Sequence, residues 1–210
     1  MVREFINYHF KENKNKYLFF LIVFLLGIII GGVSIYFLSS TQLDELKDYI
    51  GSFFELITKD TSSIDSKKIF NQTMYSDIKI YIFLLILGLS AISILYSISI
   101  MFYKGFLFGF VITFFISSYG FKGILFLICV LIIPNIIKNS ALMFAFVMSS
   151  CFKSSIQKNN KNKYGKVRNS SFYLRYTIYI VIAFLFNVMG ICFESYIAPM
   201  LMVLFSSSFL

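Results

Sequence analysis

The sequence predicts an all-α fold, a polytopic transmembrane helical bundle of about five spans with broken or re-entrant helices in its middle block. Three observations lead there. Of the 210 residues, 58% are hydrophobic and only 14% charged, with a mean hydropathy of +0.80, against roughly 45–50% apolar in a soluble domain. Several uncharged runs are long enough to cross a bilayer. The 19 basic residues, which give a net charge of +9, gather beside those runs. A globule of 24.3 kDa cannot bury this much apolar surface in water, because a small domain leaves a large share of its surface to solvent. The bilayer is the solvent that remains, and the whole chain reads as one integral membrane domain.

Residues 1–16 form a short leader carrying Arg3, Lys11, Lys14 and Lys16 against Glu4 and Glu12. Tyr17 to Leu38 then runs 22 residues without a charge, which at 1.5 Å per residue covers about 33 Å, enough for the hydrocarbon core. This is span 1. A cleavable signal peptide has a shorter apolar region, and Ser39-Ser40-Thr41 only weakly imitates its cleavage site, so the span is expected to stay as an anchor. In residues 41–79 acids alternate with lysines, and Leu43, Leu46, Ile50, Phe53, Phe54 and Ile57 recur at spacings of three and four. That is an amphipathic helix. It is expected to lie on the membrane surface or on the spans, with docking of an extracytoplasmic partner as the sharper alternative.

Span 2 is expected over 80–103, closed by Lys104, with Gly88, Ser90, Ala91 and Ser93 allowing close helix approach. From Gly105 to Phe152 only Lys122 and Lys138 are charged. This is too long for one crossing, and it is interrupted by Gly120, Gly123 and Pro134-Asn135. Residues 105–152 are therefore assigned spans 3 and 4, at about 105–120 and 123–152. The second is expected to break at Pro134 into half-helices or a re-entrant turn, because proline lacks the backbone donor and clashes with the preceding turn. Lys153, Lys158, Lys161, Lys163, Lys166 and Arg168, without an acid among them, make 153–171 the densest basic loop. Such loops stay in the cytoplasm. The amino terminus is basic too, so an even number of crossings separates the two. A fifth span over 172–193 and an apolar tail over 194–210 complete the count, with the amino terminus cytoplasmic and the carboxyl terminus outside.

Little here carries chemistry. His9 is the only histidine, so one chain assembles neither a histidine triad nor a multi-histidine metal site. Cys129, Cys151 and Cys192 lack metal or disulfide spacing, and Gly27 and Gly32 form a GxxxxG without the lysine of a phosphate loop. No catalytic, cofactor-binding or metal-binding residue is assigned, and no cofactor is expected. Gly27-Ile-Ile-Ile-Gly31 and Gly105-Phe-Leu-Phe-Gly109 each place small residues one turn apart, which lets helix backbones meet within the chain or, as the second choice, across a homo-oligomer. Lys138 and Glu194 need explanation, since a lone charge deep in a bilayer is costly. Counted from Lys153 and from Phe172, they lie about 22 Å and 33 Å from the cytoplasmic boundary, in the outer half. Three readings stand for them: each snorkels to the outer interface, the two pair, or they belong to a proton or ion pathway, which normally leaves more polar groups along its route. For the basic loop, which on charge alone suits nucleic acid or anionic lipid, topogenic charge is the simpler reading, with binding to anionic headgroups next, and no nucleic acid is expected.

Four segments in order, Lys104-Gly105-Phe106-Leu107-Phe108-Gly109-Phe110, Tyr119-Gly120-Phe121-Lys122-Gly123-Ile124, Ile133-Pro134-Asn135-Ile136-Ile137 leading to Ala141, and Phe193-Glu194-Ser195-Tyr196-Ile197-Ala198-Pro199, give the chain a likeness. It resembles the stage II sporulation protein M family of multispanning bacterial membrane proteins over nearly its whole length. Many relatives carry His or Gln after the first proline and an acid a turn later. Here Asn135 is followed by Lys138, Asn139 and Ser140, so no role of that acid transfers. The resemblance implies a non-enzymatic scaffold in the mother-cell membrane during engulfment of the forespore, positioning two peptidoglycan-degrading partners, the stage II sporulation proteins D and P. On this expectation Gly27, Gly31, Gly105, Gly109, Gly120, Gly123, Pro134, Asn135, Lys138, Glu194 and Pro199 are the structural or partner-contact candidates. The rival expectation is a transporter's membrane subunit served by a separate ATPase.

Overall fold

The computed structural model describes residues 2–59, 65–88, 90, 92–161 and 169–206, and every regular element among them is helical. Helix α1 (Val2–Ser34) bends at Asn13 and ends in a 3₁₀ turn, Ile35–Phe37. Helices α2 (Ser40–Lys59), α3 (Ser66–Leu87) and α4 (Ile92–Phe126) follow. A π-helical segment, Leu127–Ile132, leads into α5 (Ile133–Lys161). Helix α6 (Asn169–Cys192) passes through a second π-helical segment, Phe193–Ile197, into α7 (Ala198–Ser206). Lys163, Lys166 and Arg168 of the basic loop fall outside the described residues, as does the end of the apolar tail at 207–210.

Local chemistry starts and stops these helices. Before α2, the Ser39 hydroxyl accepts from the Gln42 backbone N–H at 3.3 Å while the Ser39 N–H donates to Gln42 Oε1 at 3.0 Å. This reciprocal capping box turns the chain away from α1. The serines that imitate a cleavage site are thus a helix start. Asp65 accepts from the Lys68 backbone N–H at 3.0 Å and caps α3.

The expected single span over 80–103 is divided: α3 ends at Leu87, the chain reverses around Gly88 and Ser90, and α4 starts at Ile92. The small residues that suggested close packing make a turn instead. Gly88 N–H donates to Leu84 O at 2.7 Å, Ser90 Oγ to Leu87 O at 2.8 Å, and Ser149 Oγ and the Tyr176 hydroxyl reach in from α5 and α6 to Gly88 O and Leu84 O. A Cβ on Gly88 would collide with the Tyr176 hydroxyl. Residues 66–79, expected to lie outside the spans, therefore form nearly the first two thirds of a 22-residue helix, about 33 Å long, and Lys104 lies inside α4 instead of closing a span. The second reversal is at Gly120, where φ is +56°, a conformation glycine adopts without steric cost. The break expected at Pro134 does not occur; the chain stays helical through the π-helical segment into α5. The break expected after residue 193 is likewise absent, since α7 continues the helix to Ser206.

Pairwise contacts give the directions. Gly27 of α1 meets Phe102 and Gly105, and Gly32 meets Thr113, so α1 and α4 run parallel. Tyr96 meets Ile80, Ser93 meets Ser149, and Phe152 and Gly190 meet Tyr176 and Lys138, so α3 and α4, α4 and α5, and α5 and α6 are antiparallel pairs. Residues 13–16 reach Cys151, which puts the leader and the end of α5 at one end of the bundle. At the other end Ile35, Phe54, Phe114, Phe115, Phe126, Leu127, Val130 and Ala198 form an apolar cluster, with Leu43, Leu46 and Ile50 of α2 packed on it. Three helical stretches, Lys11–Phe37, Ile92–Phe152 and Tyr173–Leu204, are long and apolar enough to cross a membrane. The middle one folds back at Gly120. Helix α3 is not among them, since Asn71, Gln72, Asp77 and Lys79 dilute its apolar residues.

The α1–α4 seam is built on glycine. A Cβ on Gly27 would lie 2.5 Å from Phe102 O, and Cβ atoms on Gly31, Gly105 and Gly109 would collide with the carbonyls of Phe106, Phe24 and Ile28. The obstacles are backbone atoms, so only helix separation relieves them. Gly31→Ala is expected to destabilise the purified protein by about 1–3 kcal/mol. Gly51→Ala, at a helical position with open space around it, should be neutral or stabilising by up to about 1 kcal/mol. Thermal unfolding in one detergent checks both.

Candidate functional site

A charge on an apolar helix either finds a partner inside the bundle or lines water. Four charged side chains and one amide, from α3, α4, α5, α6 and the second π-helical segment, find one another. Lys104 Nζ donates to Asp77 Oδ1 at 3.3 Å, and Lys138 Nζ stands 3.7 Å from Asp77 Oδ2. Asn187 Nδ2 donates to the same Oδ2 at 2.8 Å, and Lys138 Nζ donates to Glu194 Oε2 at 2.5 Å. The Asp77 and Lys138 side chains are each 7% exposed, while Glu194, at 33%, closes the cluster on its outer flank. Two cations face two anions, so the formal charge sums to zero.

The backbone makes room for this cluster. Gly190 lies against Lys138; a Cβ there would sit 2.6 Å from Lys138 Cγ and 3.2 Å from Pro134 O. Glycine at 190 thus lets the lysine stem pass between α5 and α6. Both π-helical segments end just before a proline, Pro134 and Pro199. The wider turn accommodates a residue that offers no N–H to the preceding carbonyls. Asn135 Nδ2 donates to Leu131 O at 2.8 Å, satisfying a carbonyl in the first of them.

Of the sequence candidates, Lys138 and Glu194 come together as an ion pair, and Gly27, Gly31, Gly105 and Gly109 meet in one seam within the chain. Gly120 and Gly123 build the α4–α5 reversal, with Gly123 packed on the Phe115 carbonyl. Pro134, Asn135 and Pro199 shape the π-helical segments. Asp77, Lys104, Asn187 and Gly190 are missed by sequence reasoning. The signal for Lys104 is that 80–103 and 105–121 are uncharged on both sides of it, so a turn at Gly88 and Ser90 leaves it in mid-helix. Asn187, Gly190 and Glu194 follow each other at spacings of three and four, which places them on one helix face.

The arrangement offers electrostatic ties between helices. Among the described residues no group of three or more His, Cys, Asp or Glu is placed to hold a metal ion, and the three cysteines are unbridged. The side chain of His9 lies outside the described side chains. A family model, Stage II sporulation protein M, matches residues 20–199. The chain belongs to that family. No curated protein and no solved structure matches it. As a stage II sporulation protein M family member it is a sporulation-related membrane protein, and the matched stretch contains the glycine seam, both π-helical segments and every member of the charge cluster.

Removing one partner from a buried ion pair costs about 3–5 kcal/mol, mostly from the charge left behind. Asp77→Asn and Lys104→Met should each lower stability on that scale. The double variant, which keeps Lys138 with Glu194 and stays neutral, should be more stable than either single one. A double-mutant cycle on thermal unfolding in detergent checks this; additive losses would remove the coupling.

Proposed function

We propose that the protein is a non-enzymatic membrane scaffold for sporulation that anchors and localises peptidoglycan-degrading partners, the stage II sporulation proteins D and P, during engulfment of the forespore. The observation that carries this reading is the closed charge cluster: its ions bond to one another across four helices, which stiffens a bundle without creating a reactive centre. Family membership supports the setting in sporulation. The shared position of residues 13–16 and Cys151 supports an even number of crossings between the two basic segments, and five in all. On that count both basic segments face the mother-cell cytoplasm, and the α2 end faces the space where wall is cleaved.

A second reading, a transporter's membrane subunit with a separate ATPase, draws on three buried atoms close in sequence to the cluster. Tyr81 Oη, Asn139 Oδ1 and Ser195 Oγ make no hydrogen bond in the structure. Purification of tagged full-length protein from sporulating cells separates the readings. Recovery of the D and P proteins is expected; recovery of an ATPase without a wall hydrolase would favour transport. Glu194→Gln should lower the amount of assembled complex while each recovered hydrolase molecule cleaves wall at its usual rate. Intact assembly with specific loss of transport would contradict the scaffold.

A further inference from the structure

Helix α2 divides its circumference into three arcs. Leu43, Leu46, Ile50 and Phe54 face the bundle, and Phe54 is fully buried against Tyr119 and Phe126. Asp44, Glu45, Asp48, Ser52 and Glu55 occupy the far side. At 100° per residue, Tyr49, Phe53 and Leu56 form a lateral stripe between these arcs, and they stay exposed, Tyr49 at 75% and Leu56 at 63%. Tyr36 and Phe37, just before α2, are exposed as well, and they continue the exposed apolar row of α1 through Ile29, Ile30 and Val33. A protein arriving from water meets the carboxylates first. Lipid beside α1 meets the stripe.

The bundle supplies its own ruler. At one end the turn at Gly88 is tied to Ser93, Ser149 and Tyr176. From Asp77 to Gly88, Lys104 to Ser93, Lys138 to Ser149 and Asn187 to Tyr176 the separation is 11 residues every time, or about 16 Å. Toward the other end, Lys104 to Phe115 is again 11 residues along α4, about 16 Å, and ends in the apolar cluster that holds α2. The two layers thus stand about 33 Å apart, close to the 30 Å of a hydrocarbon core. Lys16 to Ile35 on α1, 19 residues between the same layers, gives about 28 Å.

We infer that α2 is an in-plane helix seated at one bilayer boundary, with lipid on the stripe of Tyr49, Phe53 and Leu56, and that this seating puts Asp77, Lys104 and Lys138 at mid-depth. The stripe rests in the headgroup and upper acyl region, where aromatic rings are favoured. The carboxylate arc faces water. The cluster then lies deeper than a count from Lys153 suggests, because Ser149 and not Lys153 marks the inner layer. This seating stands or falls independently of any wall-hydrolase partner.

The chain contains no Trp, so single tryptophans report without background. Full-length Tyr49→Trp, Phe53→Trp, Ser52→Trp and Leu107→Trp proteins are reconstituted in phosphatidylcholine vesicles. The lipids are brominated either near the headgroup or near the chain ends, and iodide is the aqueous quencher. Trp at positions 49 and 53 should be quenched several-fold more by shallow bromine than Trp at position 52, and should be shielded from iodide. Position 52 should show the reverse. Leu107, exposed on α4 next to Lys104, should give a tryptophan quenched most by the deep bromines. Equal iodide access at 49, 53 and 52 would overturn the seating and leave the stripe to a protein partner. Shallow quenching at 107 would overturn the mid-depth placement.

Discussion

Asp77 accepts hydrogen bonds from α4 and α6 and faces a lysine of α5, and the low dielectric around it makes that arrangement hard to exchange for another. In water an exposed ion pair contributes little. Between apolar helices each charge without a partner is costly, so sliding α3, α4, α5 or α6 by one turn would uncover at least one of Asp77, Lys104, Lys138 and Glu194. The cluster therefore acts on register more than on total stability. It also explains the composition of α3. A helix that spends much of its length against other helices tolerates an acid that a lipid-facing helix would not.

The glycine seam works by a different force. Lipid tails are as apolar as leucine, so helices gain nothing from hydrophobic burial alone and associate through close packing. Gly27 and Gly31 on α1 oppose Gly105 and Gly109 on α4, in step because the helices run parallel and both pairs are one turn apart. Lys104 is the neighbour of Gly105. The seam fixes the depth of α4 against α1, and the cluster fixes its depth against α3 and α5, through two consecutive residues.

Much of this was legible in the sequence. Uncharged runs gave the helical membrane fold, the spacing of Leu43, Leu46 and Ile50 gave an amphipathic helix, and Lys138 with Glu194 stood out because each interrupted an apolar stretch. The division of the second span was not legible, since Gly88 and Ser90 read equally well as a packing face and as a turn. What decides between them is Ser149 and the Tyr176 hydroxyl, about 60 and 90 residues further on. Asp77 was hidden by neighbouring charges that made its segment look solvated. The prolines promised breaks, yet the π-helical turns before Pro134 and Pro199 kept the helices whole. Sequence shows the missing donor; it does not show how the preceding carbonyls are satisfied.

The π-helical turns also connect the devices. A π turn holds one more residue than an α turn and shifts the phase of everything beyond it. In α6 this shift comes at Glu194, so Asn187 and Gly190 face α3 and α5 with ordinary helical phase while Ala198, past the π-helical segment, returns to the apolar cluster under α2. In the chain leading to α5 it comes before Pro134, so Phe126 and Val130 serve that same apolar cluster and Lys138 serves the charged one. Each helix thus changes from an apolar to a charged partner set at the same level, without a break in its backbone. The two phase shifts thereby link the position of α2 to that of the buried charges.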